Sequence, residues 1–214
     1  YGWFLVINLL LAAALQSAPI PHAYMATRPH LDIAFVIGTI DSTFSSRLKI
    51  LVTENPQVKI VEIESLGGLA SQAYEAAEIL NLRGIEVRVR GRCASACSLF
   101  WSSANTRSLV EGARIGLHSG ELTEQPPLIL RSVVSRHHER RKTEAYAHAG
   151  FPPSLIAEGL ATPHESMIWF TATQLEQSGV TFNLLPKKPN GPPPTGRNNL
   201  STPKPPKGLI ELRH

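Results

Sequence analysis

The feature that most constrains the fold of this chain is an alternation of short β-branched runs with helical segments between Leu31 and Phe182. Ile33–Ile40 and Val58–Ile63 have the length and composition of buried strands. Leu69–Leu82 is rich in Ala, Glu and Leu, which favours a helix, and Ile85–Arg90 alternates apolar and polar residues as a half-exposed strand does. Strands and helices in this order, with short connections, predict a parallel sheet with crossover helices.

The second half of this central part continues the alternation. The same criteria predict further elements, here in chain order: a short buried helix at Ser95–Ala104, a strand pair at Arg107–Val110 and Arg114–His118 that turns at Glu111-Gly112, a long polar helix at about Leu128–Ala149, a short helix after Pro153, a helix at Ala172–Gln177 and a last strand at Val180–Leu184. All of these elements together predict a single α/β domain at residues 26–185.

The N-terminal part of the chain differs from this domain in composition. Trp3–Leu15 is apolar except for Asn8, and small residues and a proline follow at 17–19. As a helix this segment would rise only about 20 Å, which is short of the roughly 30 Å hydrocarbon layer. We therefore expect residues 1–25 to form a segment like a secretory signal, with an uncleaved membrane anchor as the alternative.

The C-terminal residues 186–214 carry the excess positive charge of the chain. They contain six Lys or Arg against one Glu, and eight of the seventeen prolines. Such a segment has little apolar surface to bury, so we expect a basic, proline-rich, disordered tail. Because the charge is confined to this tail, it predicts no nucleic-acid-binding face on the domain.

Cys93 and Cys97 are the two cysteines of the chain. Two are too few for a disulfide framework or a complete zinc site, so no metal is expected. Four residues apart on a helix, their Cα atoms would lie about 6 Å apart, near the upper edge of the range for a disulfide. A bridge would require an oxidising compartment, and we expect two small buried thiols instead.

Two of the predicted strand-to-helix turns have features of a ligand site. Ser65–Gly68 places paired glycines before a helix, where the backbone can approach a ligand, although an ordinary turn has the same pattern. The next turn holds Ser95 among small residues at a helix start, where a serine is either an N-cap or a nucleophile. His118 ends a later strand, and strand ends on one side of such a sheet meet at one crevice.

Four segments in this order carry a resemblance to a known family. SLGG, GRCASACSLF, TRSLVEGARIGLH and FTATQLEQSGV together resemble the ClpP peptidase branch of the ClpP/crotonase superfamily. Those enzymes have a Ser-Pro-Gly-Gly turn, a serine flanked by small residues and an Ile-His pair. The resemblance implies a ClpP/crotonase-like fold, in which spiral ββα units form a parallel sheet with crossover helices.

The resemblance also implies roles for individual residues. By position, Ser95 matches the nucleophile and His118 the general base. The backbone N–H groups of Gly68 and Ala96 match the oxyanion hole. Leu66 stands where the family usually has proline, at a position whose role is backbone shape.

The third member of the family's catalytic triad has no direct counterpart. Family enzymes orient the histidine with an aspartate just before the segment matched here by Phe170–Val180, but the two aspartates of this chain, Asp32 and Asp41, lie far from that position. The nearest carboxylate is Glu165, and glutamate orients the histidine in some α/β-hydrolase triads. The alternatives are a Ser–His dyad oriented by a backbone carbonyl or water, and a degenerate site.

The basic run Arg131–Lys142 predicts a solvated helix face. The related signal-peptide-peptidase-like enzymes use a Ser–Lys dyad whose lysine comes from a later helix. Lys142 would be such a base only if it turned inward, and its charged neighbours predict that it points to solvent.

These observations lead us to expect an exported serine hydrolase, periplasmic or secreted. The resemblance implies an ATP-independent peptidase that acts on peptides or proteins through a Ser–His pair and an acyl-enzyme. It also implies a homo-oligomer without a cofactor, and residues 3–15 would provide any membrane association. Two alternatives stay open: a crotonase-like acyl-thioester lyase or hydratase, and a non-catalytic assembly or binding module with this fold.

Overall fold

The computed structural model describes residues 22–27, 32–120 and 127–187, and within these ranges the chain forms eight strands and six helices. The strands are β1 (Tyr24–Thr27), β2 (Ile33–Ile37), β3 (Ile60–Ser65), β4 (Glu86–Ala94), β5 (Arg107–Val110), β6 (Arg114–Leu117), β7 (Ile168–Thr171) and β8 (Asn183–Leu185). The helices are α1 (Phe44–Glu54), α2 (Ala70–Asn81), α3 (Ala96–Ser103), α4 (Leu128–His148), α5 (Pro153–Ala161) and α6 (Ala172–Gln177). The segment predicted at residues 3–15 and the tail beyond Lys187 lie outside the described residues.

The eight strands form one mixed sheet. Its main row runs β1-β2-β3-β4-β5-β8, in which β1 is antiparallel to β2 and the other neighbours are parallel. β6 lies off this row, parallel to β4 and antiparallel to β7. The prediction of one α/β domain is confirmed, and the sheet is mixed rather than purely parallel.

β4 is long enough to pair with two strands on the same side. Val87–Val89 pair with β5, and Arg92–Ala94 pair with β6. The predicted strand pair turning at Glu111-Gly112 is therefore wrong as a pair: β5 continues the row to β8, while β6 joins the second half of β4. As a result, the C-terminal ends of β4 and β6 lie side by side.

The helices pack through apolar side chains at helical spacing. α1 buries Phe44, Leu48 and Val52, one on each successive turn. α3 is buried on nearly all sides, as its uncharged sequence ACSLFWSS requires. Phe44 meets Phe100 of α3 edge-on, with ring centroids 5.9 Å apart. This core holds α3, and with it the residue that precedes α3.

Asp41 connects the end of β2 to the start of α1. Its carboxylate accepts hydrogen bonds from the backbone and hydroxyl of Thr43 and lies 3.1 Å from Arg47 and 3.2 Å from His22. Burial alone would raise the pKa of this carboxyl, but the hydrogen bonds from Thr43, with His22 and Arg47, lower it to about 2. The charged carboxylate therefore stabilises the junction of β1, β2 and α1.

α4 is the longest described helix and a largely polar one. It buries Lys142, Ala145 and Tyr146, and leaves Leu128 and Ile129 exposed at its start. Among the residues described, the chain has no helix with the length and apolar character needed to span a membrane.

Candidate active site

Ser95 stands alone between β4 and α3 in an unusual backbone conformation. Its φ of 55° and ψ of −123° make it the one non-glycine residue with positive φ among the described residues. Its N–H donates to the carbonyl of Gly116 in β6 at 3.0 Å, which holds the bend. Ser95 occupies the N-cap position of α3, as the first alternative expects, but within the described residues its side chain accepts no capping hydrogen bond from the helix. Such a bend costs about 1–3 kcal/mol and is typical of functional sites.

A disulfide spans this bend. Cys93 at the end of β4 and Cys97 in the first turn of α3 are bonded, with Cα atoms 5.2 Å apart. The expectation of two free thiols is therefore wrong. It assumed that both cysteines lie on one helix, whereas the turn at Ser95 lets the chain double back and brings the two Cα atoms closer. The bridge closes a short ring around Ser95.

The two glycines of the preceding turn are closely packed, Gly67 against Ser95 and Gly68 against Ile40. Gly67 and Gly68 have φ of 112° and 141°, which side chains rarely adopt. A Cβ on Gly67 would lie 2.7 Å from Ser95 Cβ and 3.1 Å from Ala96 N. A Cβ on Gly68 would collide with the carbonyl oxygen of Ile40. The pair is thus required by close backbone approach, not only by the turn.

Two backbone N–H groups beside Ser95 are available to an anion. Ile40 donates to the carbonyl of Gly67 at 2.9 Å and accepts from Leu69 at 2.8 Å, and the N–H of Gly68 between them has no acceptor among the described residues. Ala96 is the first residue of α3, so its N–H has no acceptor inside the helix. Both residues line the same cavity. The two predicted oxyanion donors therefore belong to one cavity, and their role stays a prediction.

The cavity has a volume of about 720 Å³ and contains most of the predicted site. Ser95 and His118 line it together with both predicted oxyanion donors. Glu165 is exposed and is not among the described residues that line the cavity. The structure therefore brings four of the five predicted residues together and leaves Glu165 outside.

His118 follows β6 and is almost fully buried in this cavity. Burial lowers the pKa of the imidazole, and the neighbouring His164 and Lys142 lower it further. Nδ1 of His118 accepts the N–H of Gly120 at 3.3 Å. In a triad Nδ1 donates to a carboxylate, so this contact places the proton of the neutral ring on Nε2 instead.

Lys142 points into the cavity, and the expectation of an exposed side chain is wrong. It is 4% exposed, and its Nζ donates to the carbonyl of Ser119, just after His118. Burial lowers the pKa of its ammonium, while Glu139 acts in the opposite direction. The sequence held a signal for this orientation, because Ala145 and Tyr146 follow at i+3 and i+4 and mark the buried face.

Tyr74 and Arg141 form a pair that was not predicted from the sequence. The guanidinium of Arg141 lies over the Tyr74 ring at 4.1 Å from its centroid, and both residues line the cavity. The Tyr74 hydroxyl is buried and makes no hydrogen bond within the part of the chain that is described. Burial raises its pKa to about 12.

The described residues contain no group of three or more His, Cys, Asp or Glu side chains arranged to hold a metal ion. No family model matches this chain, and no curated protein matches it.

Proposed function

We propose that the chain is an exported serine hydrolase, most simply a peptidase, that forms an acyl-enzyme on Ser95. The observation that carries this proposal is the strained bend of Ser95 beside two available backbone N–H groups in one cavity. A serine with only a capping or structural role does not require positive φ. At a turn between a strand and a helix, this conformation exposes the Oγ of a nucleophile.

The proposed reaction follows from these positions. Ser95 Oγ attacks the scissile carbonyl carbon and gives its proton to a base, while the N–H groups of Gly68 and Ala96 stabilise the negative oxygen. The tetrahedral intermediate expels the leaving amine, which takes the proton from the base. Water then hydrolyses the ester on Ser95 by the same route and regenerates the hydroxyl.

His118 is the base in this proposal, and Lys142 is the second candidate. For Nε2 of His118 to accept the proton, the ring must carry its other proton on Nδ1, so the long contact with Gly120 must give way when substrate binds. Lys142 is a candidate because it lines the same cavity and its burial favours the neutral amine.

The pH dependence of kcat/KM separates the two bases. Each accepts a proton only when neutral, so activity falls as the pH drops through the pKa of the base. The pKa of His118 is lowered from 6.5, so a histidine base gives a rate that is already maximal near neutral pH. The acid limb should disappear in His118→Gln and persist in Lys142→Met. A limb well above pH 7 that only Lys142→Met removes would assign the base to Lys142.

Labelling with a fluorophosphonate probe tests the proposed function itself. The intact chain should label, and Ser95→Ala should not. Ser71→Ala is the matched control, because Ser71 is exposed and lines the same cavity. Labelling that survives Ser95→Ala, or its absence from the intact chain, would contradict the proposal and leave the lyase and the non-catalytic module as the remaining candidates.

Export, a homo-oligomeric state and a peptide or protein substrate remain parts of the proposal. The disulfide between Cys93 and Cys97 supports export, because such bonds persist in oxidising compartments. Fractionation of cells that express the chain with residues 1–25 in place tests this part. Recovery of the protein in the cytoplasm with free thiols would contradict it.

A further inference from the structure

The side of the cavity formed by α4 is strongly basic. α4 contributes His137, His138, Arg141 and Lys142 to the lining, and His164 lies across from them beside His118. No Asp or Glu is found among the described lining residues. A cavity whose described lining holds Lys, Arg and His side chains and no carboxylate favours an anionic ligand.

Lys142 and Arg141 have donors to offer such a ligand. Among the described residues no carboxylate lies within ion-pair distance of either side chain. The acidic residues of α4 lie outside the cavity lining: Glu144 pairs with Arg140 at 3.4 Å, and the exposed Glu139 acts on Lys142 without forming an ion pair with it. A buried ammonium without a carboxylate is costly, and a bound anion would relieve that cost.

Arg141 is the better anchor of the two. A guanidinium stays charged at any accessible pH, whereas burial lowers the pKa of Lys142. The position of Arg141 over the Tyr74 ring holds its planar guanidinium at the cavity, which reduces the conformational entropy that the side chain loses on binding. The Tyr74 ring that supports Arg141 lines the cavity as well.

We propose that the cavity selects substrates with a carboxylate close to the scissile carbonyl, and that Arg141 binds this carboxylate. The inference rests on the proposed function, because it names the substrate class of the same site. The carboxylate is either an acidic side chain or the free C-terminus of a peptide. A bidentate contact between guanidinium and carboxylate is the strong, oriented form of this interaction.

Two p-nitrophenyl esters of equal chain length provide the first test. The adipate half-ester ends in a carboxylate, and the hexanoate ester ends in a methyl group. We expect the intact chain to prefer the adipate ester by about tenfold or more in kcat/KM, the range of one charged hydrogen bond. Arg141→Gln should reduce this preference by about tenfold. Arg140→Gln is the matched control: it removes the same charge one residue away, from a side chain paired with Glu144, and should leave the preference within about twofold.

Peptide pools distinguish the two sources of the carboxylate. A Gln-rich pool with an amidated C-terminus is compared with the same pool carrying a free C-terminus and with a Glu-for-Gln pool that is amidated. Faster cleavage of the second pool assigns the C-terminus, and faster cleavage of the third assigns an acidic side chain. Equal cleavage of all three pools, or an equal loss of preference in Arg140→Gln and Arg141→Gln, would overturn the proposal.

A binding measurement separates failure of this inference from failure of the proposed function. Adipate should bind to Ser95→Ala in calorimetry, and the double variant with Arg141→Gln should bind it about tenfold more weakly. If the fluorophosphonate probe fails to label Ser95 but adipate binds in this way, the hydrolase proposal fails and the carboxylate site stands. If Ser95 labels but adipate binds equally to both variants, the carboxylate site alone is refuted.

Discussion

The bend at Ser95 predicts that glycine will be more stable than alanine at this position. Both Ser95→Gly and Ser95→Ala remove the hydroxyl, so the comparison isolates the backbone. Alanine keeps a Cβ at φ 55° and ψ −123°, while glycine adopts this region without a steric penalty.

The magnitude follows from two opposing effects. The strained conformation costs about 1–3 kcal/mol in alanine, and glycine removes that cost. Glycine loses about 0.5–1 kcal/mol more conformational entropy on folding. The net gain is about 1 kcal/mol, which is about 2–4 °C in the thermal midpoint of a domain of 150–250 residues.

Thermal and urea unfolding of the two variants measure this difference. Ser71, in the first turn of α2, is a matched control with the opposite sign, because glycine inside a helix is about 1 kcal/mol less stable than alanine. If Ser95→Gly proves no more stable than Ser95→Ala while Ser71 behaves as expected, the strain at Ser95 is refuted, and with it the main support for a nucleophile there.

Three further perturbations test other parts of the structure. Replacing Cys93 and Cys97 by alanine should lower the free energy of unfolding by about 2 kcal/mol, because the unfolded chain gains the loop entropy that a bridge across a separation of 4 residues removes. An unchanged urea midpoint would contradict the bridge. Gly68→Ala should abolish fluorophosphonate labelling and lower the thermal midpoint markedly, because the alanine Cβ would collide with the backbone of Ile40. Normal labelling of this variant would contradict the close backbone approach at Gly68. Asp41→Asn should destabilise the domain at pH 7. The pKa of Asp41 is about 2 in the folded chain and 3.8 in the unfolded chain, so the stability from this carboxylate is complete above pH 3.8 and is lost towards pH 2. The difference in thermal midpoint between the intact chain and Asp41→Asn should therefore disappear towards pH 2.

Elements with a clear local pattern were predicted well. β5 and α6 have the predicted bounds, Arg107–Val110 and Ala172–Gln177. α6 begins with a capping box between Thr171 and Gln174, which fixes its start locally. The helix Phe44–Glu54 was not predicted, although its residues at i, i+4 and i+8 form the buried face.

Pairing between strands was predicted less well because it depends on distant residues. The alternation of apolar and polar residues ends at Arg90, so β4 was expected to stop there, and a hairpin of β5 with β6 was the simplest partner choice. In the structure β4 continues through Gly91 to Ala94, and its extension provides the edge that β6 occupies. Glycine interrupts a side-chain pattern without ending the strand.

The site was predicted as a set of residues, but its electrostatics were not. Ser95, His118, Gly68 and Ala96 share one cavity as expected. The inward turn of Lys142 was missed because its neighbours are charged. Lys142 shares the buried face of α4 with Ala145 and Tyr146, and this spacing was present in the sequence but was outweighed by the charged run before it.

The way α4 closes the cavity has a consequence for engineering. The groups that react in the proposed function lie on turns whose backbone tolerates almost no substitution, as the crowded positions of Gly67 and Gly68 show. Four further lining positions, 134, 137, 138 and 141, lie on the surface helix α4. A combinatorial library restricted to those four codons would sample new recognition surfaces while every variant kept the same reaction centre. We therefore expect that substitutions on α4 can change the ligand selectivity of the cavity while the proposed reacting groups stay in place.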